Sequence, residues 1–349
     1  MIMASNPPVK VAVIGVGHLG KNHARVLREL PSAELVAVVD SREKVAREIA
    51  ERFHCEALTD YRQLKGKVDA ATVVVPTRHH YEVAKWLFEN NIHALVEKPM
   101  AYTIDECQKL IELAKKQKRI LQVGHIERFN PALKSIRNAM KTVAFIEADR
   151  LSPYPFRSTD VGVVMDVMIH DLDIVLSIAD SEVEDIQAVC TPVLSKRFED
   201  IASVRLTFKN GAVANITASR ISDKSVRKMR IFCADSYLNL DFAAKQAWIY
   251  KKTPKLDQAD FHVENLDVSN IDNLMQFVFN DLIRVEQVVI GEEEPLKEEL
   301  RHFISCIQKG ERPEVSGEEG LAAIRLAHDI LRIAREHYEK HVPPEHRKW

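Results

Sequence analysis

The run Lys10-Val11-Ala12-Val13-Ile14-Gly15-Val16-Gly17-His18-Leu19-Gly20 sets the architecture of the first half of the chain. A short β-branched segment leads into G-x-G-x-x-G, and Leu19–Leu30 then places apolar residues at helical spacing. Strand, glycine turn and helix in that order match the dinucleotide-binding fingerprint. Gly15 allows the tight turn, Gly17 lets backbone approach a pyrophosphate, and Gly20 permits close packing of helix on strand. The helix start adds unpaired N–H groups and a positive dipole end. His18 and Leu19 lie within this loop, and His18 by itself reads as a surface residue. Asp40 ends the next strand, about 20 residues after Gly20, where the fingerprint places an acid on the adenosine ribose. A carboxylate there repels a 2′-phosphate, which favours NAD over NADP. Ser41 and Arg42 follow, and an arginine beside the ribose can serve a 2′-phosphate.

Working outward, strands read at Lys10–Ile14, Leu35–Val39, Ala71–Val75, Ala94–Glu97 and Ile120–Val123. Amphipathic helices fill the gaps, with Ser41 and Thr103 as N-caps. This alternation predicts an α/β Rossmann domain, a doubly wound parallel sheet, over residues 1–124. From Val143 strands follow one another directly. Ser203–Phe208 and Ala212–Ser219 flank Lys209-Asn210-Gly211, a hairpin signal. Residues 125–349 therefore read as an α+β domain with a mainly antiparallel open sheet, for substrate binding and oligomerisation, whose C-terminal helix can pack back on the first domain. Val164–Ile178 is the helix within this half, and 252–270, polar and weakly patterned, reads as a long surface loop or a strand lead-in.

Composition narrows the function. With 49 Lys+Arg against 51 Asp+Glu there is no basic excess to suit nucleic acid. No apolar run approaches the roughly 20 residues of a membrane span, and the N-terminus shows no secretory pattern, so a cytoplasmic protein is expected. Five scattered cysteines without C-x-x-C suggest neither disulfides nor zinc. The late histidines His337, His341 and His346 lack a ligand spacing, and no metal is expected.

Glu97-Lys98-Pro99 follows a strand, placing Lys98 at the carboxyl edge of the parallel sheet, where open α/β sheets bind ligands. Asp166, His170 and Asp173, at i, i+4 and i+7, project from one face of an otherwise apolar helix. Taken singly, a solvated lysine and a hydrogen-bonded core histidine are the ordinary readings.

Together, the G-x-G-x-x-G domain, Glu97-Lys98-Pro99 and Asp166-x-x-x-His170 with Asp173 resemble the glucose–fructose oxidoreductase, inositol dehydrogenase and rhizopine-catabolism (Gfo/Idh/MocA) family. The resemblance spans essentially the whole chain. It implies that Lys98, Asp166 and His170 face the nicotinamide and the reacting sugar carbon. It adds Pro76, Thr77 and His80, in a loop that also holds Arg78 and His79, to the cofactor residues, with Glu97 and Lys98. The stretch Gly124-His125-Ile126-Glu127-Arg128-Phe129-Asn130-Pro131 is similar to one in the branch that oxidises UDP-N-acetylglucosamine at carbon 3. That makes Arg128 and Phe129 substrate candidates, the competing reading being a linker whose Phe129 packs and whose Arg128 pairs with a neighbour. Arg157 and Arg220 are the cations chosen for a diphosphate from a set that includes Arg150, Arg227 and Lys228. Tyr154 and Phe156 read as packed aromatics or as flanks for sugar or uracil.

The resemblance further implies a homodimer or homotetramer and an aminotransferase partner, in a route to amino sugars of surface glycolipids such as lipid A. A dehydrogenase of a free cyclic polyol or aldose, and a non-catalytic dinucleotide sensor, are the alternatives. Retention of Lys98, Asp166 and His170 together argues against the sensor.

Overall fold

The computed structural model describes residues 7–156, 161–258, 260–266, 273–347 and 349. It divides into two compact units, Met1–Phe129 with Glu293–Leu326, and Asn130–Glu292 with Ala327–Trp349.

In the first unit, strands β1 Val9–Ile14, β2 Ala33–Val39, β3 Glu56–Leu58, β4 Ala70–Val73, β5 His93–Glu97 and β6 Leu121–Gly124 form one sheet in the order β3-β2-β1-β4-β5-β6. Every pairing is parallel, so each connection must cross over, the β3–β4 connection through a 3₁₀ turn at Tyr61–Leu64 and the other four through α-helices. They are α1 Gly20–Glu29, α2 Glu43–Phe53, α3 His80–Glu89 and α4 Ile104–Lys116. Val11, Ala12, Val13 and Ile14 are all buried, as a strand covered on both faces requires. Ala24 and Leu27 of α1 and Leu300, Phe303 and Ile304 of a late helix, Pro295–Lys309, join this core. Thr103 caps α4 in a full capping box with Glu106. Ser41 does not cap α2. The cap position is Arg42, whose N–H is already taken by the Asp40 carboxylate at 3.0 Å.

The second unit carries strands β7 Val143–Leu151, β8 Val183–Thr191, β9 Ile201–Phe208, β10 Val213–Ser219, β11 Val226–Cys233, β12 Ser236–Asp241, β13 Gln246–Lys252 and β14 Ile283–Gln287. Their order is β14-β13-β12-β11-β7-β10-β9-β8. All neighbours are antiparallel except β7 and β10. The mainly antiparallel α+β expectation holds. The 209–211 hairpin is present, with Gly211 at φ +85° and the Phe208 N–H bonded to Ala212 O at 2.9 Å. A short helix, α5 Pro131–Ile136, opens this unit. The expected helix at 164–178 begins as one π-helical turn, Val164–Met168, and continues as α6, Ile169–Ala179. Leu172, Ile174 and Val175 of α6 are buried, as are Ile146, Ala148 and Ile216 of the central strands. Gly317–His341, the longest helix, contributes residues to both units.

Candidate functional site

The glycine turn at the carboxyl end of β1 is built around close approaches. Gly15 has φ +89° and donates its N–H to Val39 O at 2.7 Å, and a Cβ there would lie 2.5 Å from Val74 O. A Cβ on Gly20 would lie 1.8 Å from Gly15 O, so only glycine lets α1 start where it does. Gly17 differs, because its nearest neighbour to a Cβ would be an Arg42 nitrogen 4.0 Å away. That open side, together with a helix start that no side chain caps, leaves donors facing outward as an anion requires. His18 and Leu19 are exposed on the loop. The residues present fit the pyrophosphate of a dinucleotide.

Asp40, at the end of β2, is buried and fully engaged. Its Oδ2 accepts the Val16 N–H at 3.2 Å and Arg42 Nη2 at 3.2 Å, and Oδ1 accepts the Arg42 N–H and Nε, both at 3.0 Å. Burial pushes the Asp40 carboxyl up, but the Arg42 and Val16 bonds outweigh it and hold it below the usual carboxylate range. Arg42 itself is 64% exposed, a guanidinium that can turn away. Ser41 is exposed beside it.

Pro76 precedes a 3₁₀ turn at Thr77–His79. His80, expected at the cofactor, is instead a brace: its ring is buried, with Nε2 2.7 Å from Val75 O and Nδ1 2.9 Å from Pro99 O. Burial pushes the His80 ring down from its ordinary value. The histidine ties the 75–80 loop to the Glu97-Lys98-Pro99 turn, whose Lys98–Pro99 peptide is cis. Glu97, another expected cofactor residue, turns its carboxylate inward. Oε1 lies 3.2 Å from His23 Nε2, and Oε2 accepts the Lys98 N–H at 3.2 Å. A Cβ on Gly124 would sit 2.9 Å from the Glu97 carboxyl carbon, so the glycine of β6 makes room for this acid. Lys98 follows β5 at the carboxyl edge, partly buried.

Two substrate candidates are corrected within this unit. Phe129 is completely buried, its ring 5.3 Å from that of His302. Arg128 is buried, 3.7 Å from Glu314. Both follow the linker reading.

In the second unit, Asp166 lies in the π turn and His170 in the first turn of α6, both partly buried, while Asp173 is buried. The adjacent Asp171 is forked by Arg150, Nε to Oδ2 and Nη2 to Oδ1 both at 2.8 Å. That consumes the Arg150 charge. Arg220, expected on a diphosphate, is 1% exposed, pairs with Asp200 at 2.8 Å, and donates to Val161 O at 2.8 Å. Its guanidinium also stacks on Tyr154, 5.5 Å from the ring centre. Arg220 braces the fold and does not present a cation to substrate. Arg157 lies outside the described residues. Glu199 reaches the start of the π turn, accepting the Val164 N–H at 3.0 Å, and a Cβ on Gly162 would be 2.0 Å from its carboxylate.

Residues 9–125 match the oxidoreductase family with an NAD-binding Rossmann fold, and 142–238 match the GFO/IDH/MocA C-terminal domain. The UDP-N-acetylglucosamine 3-dehydrogenase of Acidithiobacillus ferrooxidans is 37% identical over 245 residues, 70% of this chain and 77% of that protein. This chain belongs to the Gfo/Idh/MocA oxidoreductase family.

A solved structure of the same Acidithiobacillus enzyme superposes with a TM-score of 0.83 at 30% identity, covering 95% of this chain and 99% of that one. The myo-inositol 2-dehydrogenase of Thermotoga maritima is 26% identical across 92% of this chain and 94% of its own length. Among Gfo/Idh/MocA features, the glycine loop, Asp40 and the Glu97-Lys98-Pro99 turn were legible in sequence. The inward cluster of His23, Glu97 and Glu299 was not, although it left a trace. His23 shares a helical face with Gly20, Ala24 and Leu27, and Glu299 one with Leu296 and Phe303, so both interrupt buried stripes.

Proposed function

We propose that this chain oxidises the carbon-3 hydroxyl of UDP-N-acetylglucosamine to the ketone, with NAD as hydride acceptor. The substrate rests on the 37% identity with the Acidithiobacillus enzyme named for that reaction. The preference for NAD rests on the charged Asp40 carboxylate at the ribose end of the fingerprint. Gly15, Gly17 and Gly20 hold the pyrophosphate, and the 76–77 loop lies along the nicotinamide half. When bound, the nicotinamide supplies the acceptor for the hydride that leaves carbon 3.

The chain's part is the proton. As hydride leaves carbon, the hydroxyl must give up its proton, and an imidazole, a base that ordinarily exchanges a proton between about pH 5 and 8, is chemically suited to take it. Lys98 polarises the hydroxyl oxygen toward alkoxide. The proton is assigned to Lys98 and His170 as a pair, and to His170 when one group is named. Asp166 stabilises the imidazolium that forms. Arg157 is the cation assigned to the diphosphate. The 3-keto product suits an aminotransferase as the next step, as in amino-sugar synthesis.

A second reading, oxidation of a free cyclic polyol, is favoured by the similarity to myo-inositol 2-dehydrogenase along nearly the whole chain. Purified protein with NAD and UDP-N-acetylglucosamine, inositol or glucose separates the two by absorbance of reduced nicotinamide. A rise with the UDP sugar alone supports the first reading. A rise with inositol alone replaces it, and an added aminotransferase tests for an unfavourable equilibrium.

A further inference from the structure

Behind the Lys98 turn lies a group of polar side chains shut away from water. His23 and Glu299 are buried, and the Glu97 carboxylate is 14% exposed. Gln122 donates Nε2 to the Glu299 backbone O at 3.1 Å, which ties β6 to the helix Pro295–Lys309. Four buried atoms of this group have no partner among the described residues: both Glu299 carboxyl oxygens, His23 Nδ1 and Gln122 Oε1.

The inventory is informative. An ionised carboxylate buried with no donor on either oxygen is costly, and it takes up a proton instead. With His23 Nε2 donating to Glu97, Nδ1 is left as an acceptor, and Gln122 Oε1 is always one. With a neutral His23 the group holds two acceptors without a donor, and a carboxylic acid O–H on Glu299 brings the cluster a donor.

We propose that Glu299 stays a neutral carboxylic acid and serves as a donor within a buried cluster that fixes the Glu97 carboxylate against Lys98, so that Glu97 and Glu299 are positioning residues for that lysine. This rests on the reading that Lys98 acts on the substrate oxygen. The titratable groups on the elements packed around Glu299 include His23 and Arg25 on α1, Glu97 at the end of β5, and His125, Glu127 and Arg128 after β6, and the Glu97 charge acts on it. Burial first, and then the Glu97 charge, push the Glu299 carboxyl well above the usual range. Burial also pushes Glu97 up, but the His23 bond, the Lys98 charge and the Lys98 N–H hold it below that range. One proton on two acids, resting on Glu299, is the consistent assignment.

The test begins without turnover. Infrared spectra of the NAD-bound wild type at neutral pH should show the carbonyl stretch of a protonated carboxyl group that Glu299→Gln lacks. Glu199→Gln identifies any band from Glu199, another buried acid with a raised pKa. A wild type with no such band, or a band untouched by Glu299→Gln, overturns the proposal whatever the substrate proves to be. In turnover, Glu97→Gln should lower kcat by on the order of 10²-fold with NAD affinity retained, and should shift the pH limb that Lys98 controls to lower pH. Glu299→Leu should follow it. Glu299→Gln, with a neutral head that still donates, should restore the wild-type pH profile. If Glu299→Gln shifts that limb as far as Glu97→Gln, the assignment of the proton fails. If the band is present but Lys98→Met turns over normally, the role of Lys98 fails and the protonation of Glu299 stands.

Discussion

Arg150 of β7 and Asp171 of α6 close a two-bonded fork, each bond 2.8 Å, with both side chains nearly shut off from solvent. Asp171 directly follows His170, so the fork fixes the backbone that carries the proposed base. Removing one partner strands the other charge in a dry interior. Asp171→Ala should therefore cost about 3–5 kcal/mol, read as a fall in the denaturant midpoint at constant slope. The double variant Arg150→Met/Asp171→Leu should recover much of that loss, because an apolar pair leaves no unpaired ion. A double variant no more stable than Asp171→Ala would show that the fork contributes more than charge neutralisation.

His93 gives the first unit an acid-sensitive element. Its Nδ1 accepts the Ile120 N–H at 2.8 Å, an acceptor role that needs an unprotonated nitrogen. Burial, and then Arg119, lower its pKa from 6.5 to about 4. The folded pKa is the depressed one, so the unfolded chain takes up this proton first as pH falls. Stability from His93 is full above pH 6.5 and is lost progressively toward pH 4. After allowance for its partial exposure this amounts to roughly 2 kcal/mol. Melting temperatures measured from neutral to acid pH should fall across that window, and His93→Gln, which keeps an acceptor without the titration, should flatten the fall. A wild-type curve with no loss in the window would remove His93 from the account.

The parts of this molecule that sequence made legible are those where one residue type has one physical use. Glycine at positions 15 and 20 is required because any Cβ collides with backbone, and the Asn210-Gly211 hairpin follows from the positive φ at its glycine. Strand β3 escaped notice because three residues cannot show a period. Strand β8, Val-Glu-Asp-Ile-Gln-Ala-Val-Cys-Thr, lies at the sheet edge and is polar over its first half, so its alternation is broken. The π turn at Val164–Met168 sits in an apolar run that suits several helical pitches. Arginines were the least legible, since Arg150 and Arg220 carry the same charge whether they meet a phosphate or a buried aspartate.

Gly162 and Glu199 form a steric lock at the start of that π turn. The Glu199 carboxylate occupies the space a Cβ would need, and it holds the Val164 N–H. Gly162→Ala should displace the carboxylate, cost about 1–3 kcal/mol, and lower kcat more than it changes KM, because Asp166 lies two residues beyond Val164. Glu199→Gln, which retains an acceptor oxygen, should be much milder in both respects. Thermal melts and steady-state kinetics on the two variants check this, and a Gly162→Ala protein with wild-type melting would mean the carboxylate has another place to go.

Cofactor choice turns on which of two side chains governs the end of β2. All four lone-pair positions of Asp40 are occupied, one by the Val16 N–H and three by Arg42. Two of those three come from an exposed guanidinium, which a ribose diol can displace. On the proposed NAD reading the aspartate binds the diol as well as neutralising the arginine that a 2′-phosphate would need. Asp40→Ala removes the acceptor and releases Arg42 together, so the ratio of kcat/KM for NAD over NADP should fall by at least about tenfold, equivalent to about 1.4 kcal/mol. Arg42→Ala should leave NAD use nearly intact and depress any use of NADP. Steady-state kinetics with both dinucleotides decide the matter: if Asp40→Ala weakens NAD and NADP equally, the carboxylate organises the loop through Val16 without selecting the cofactor.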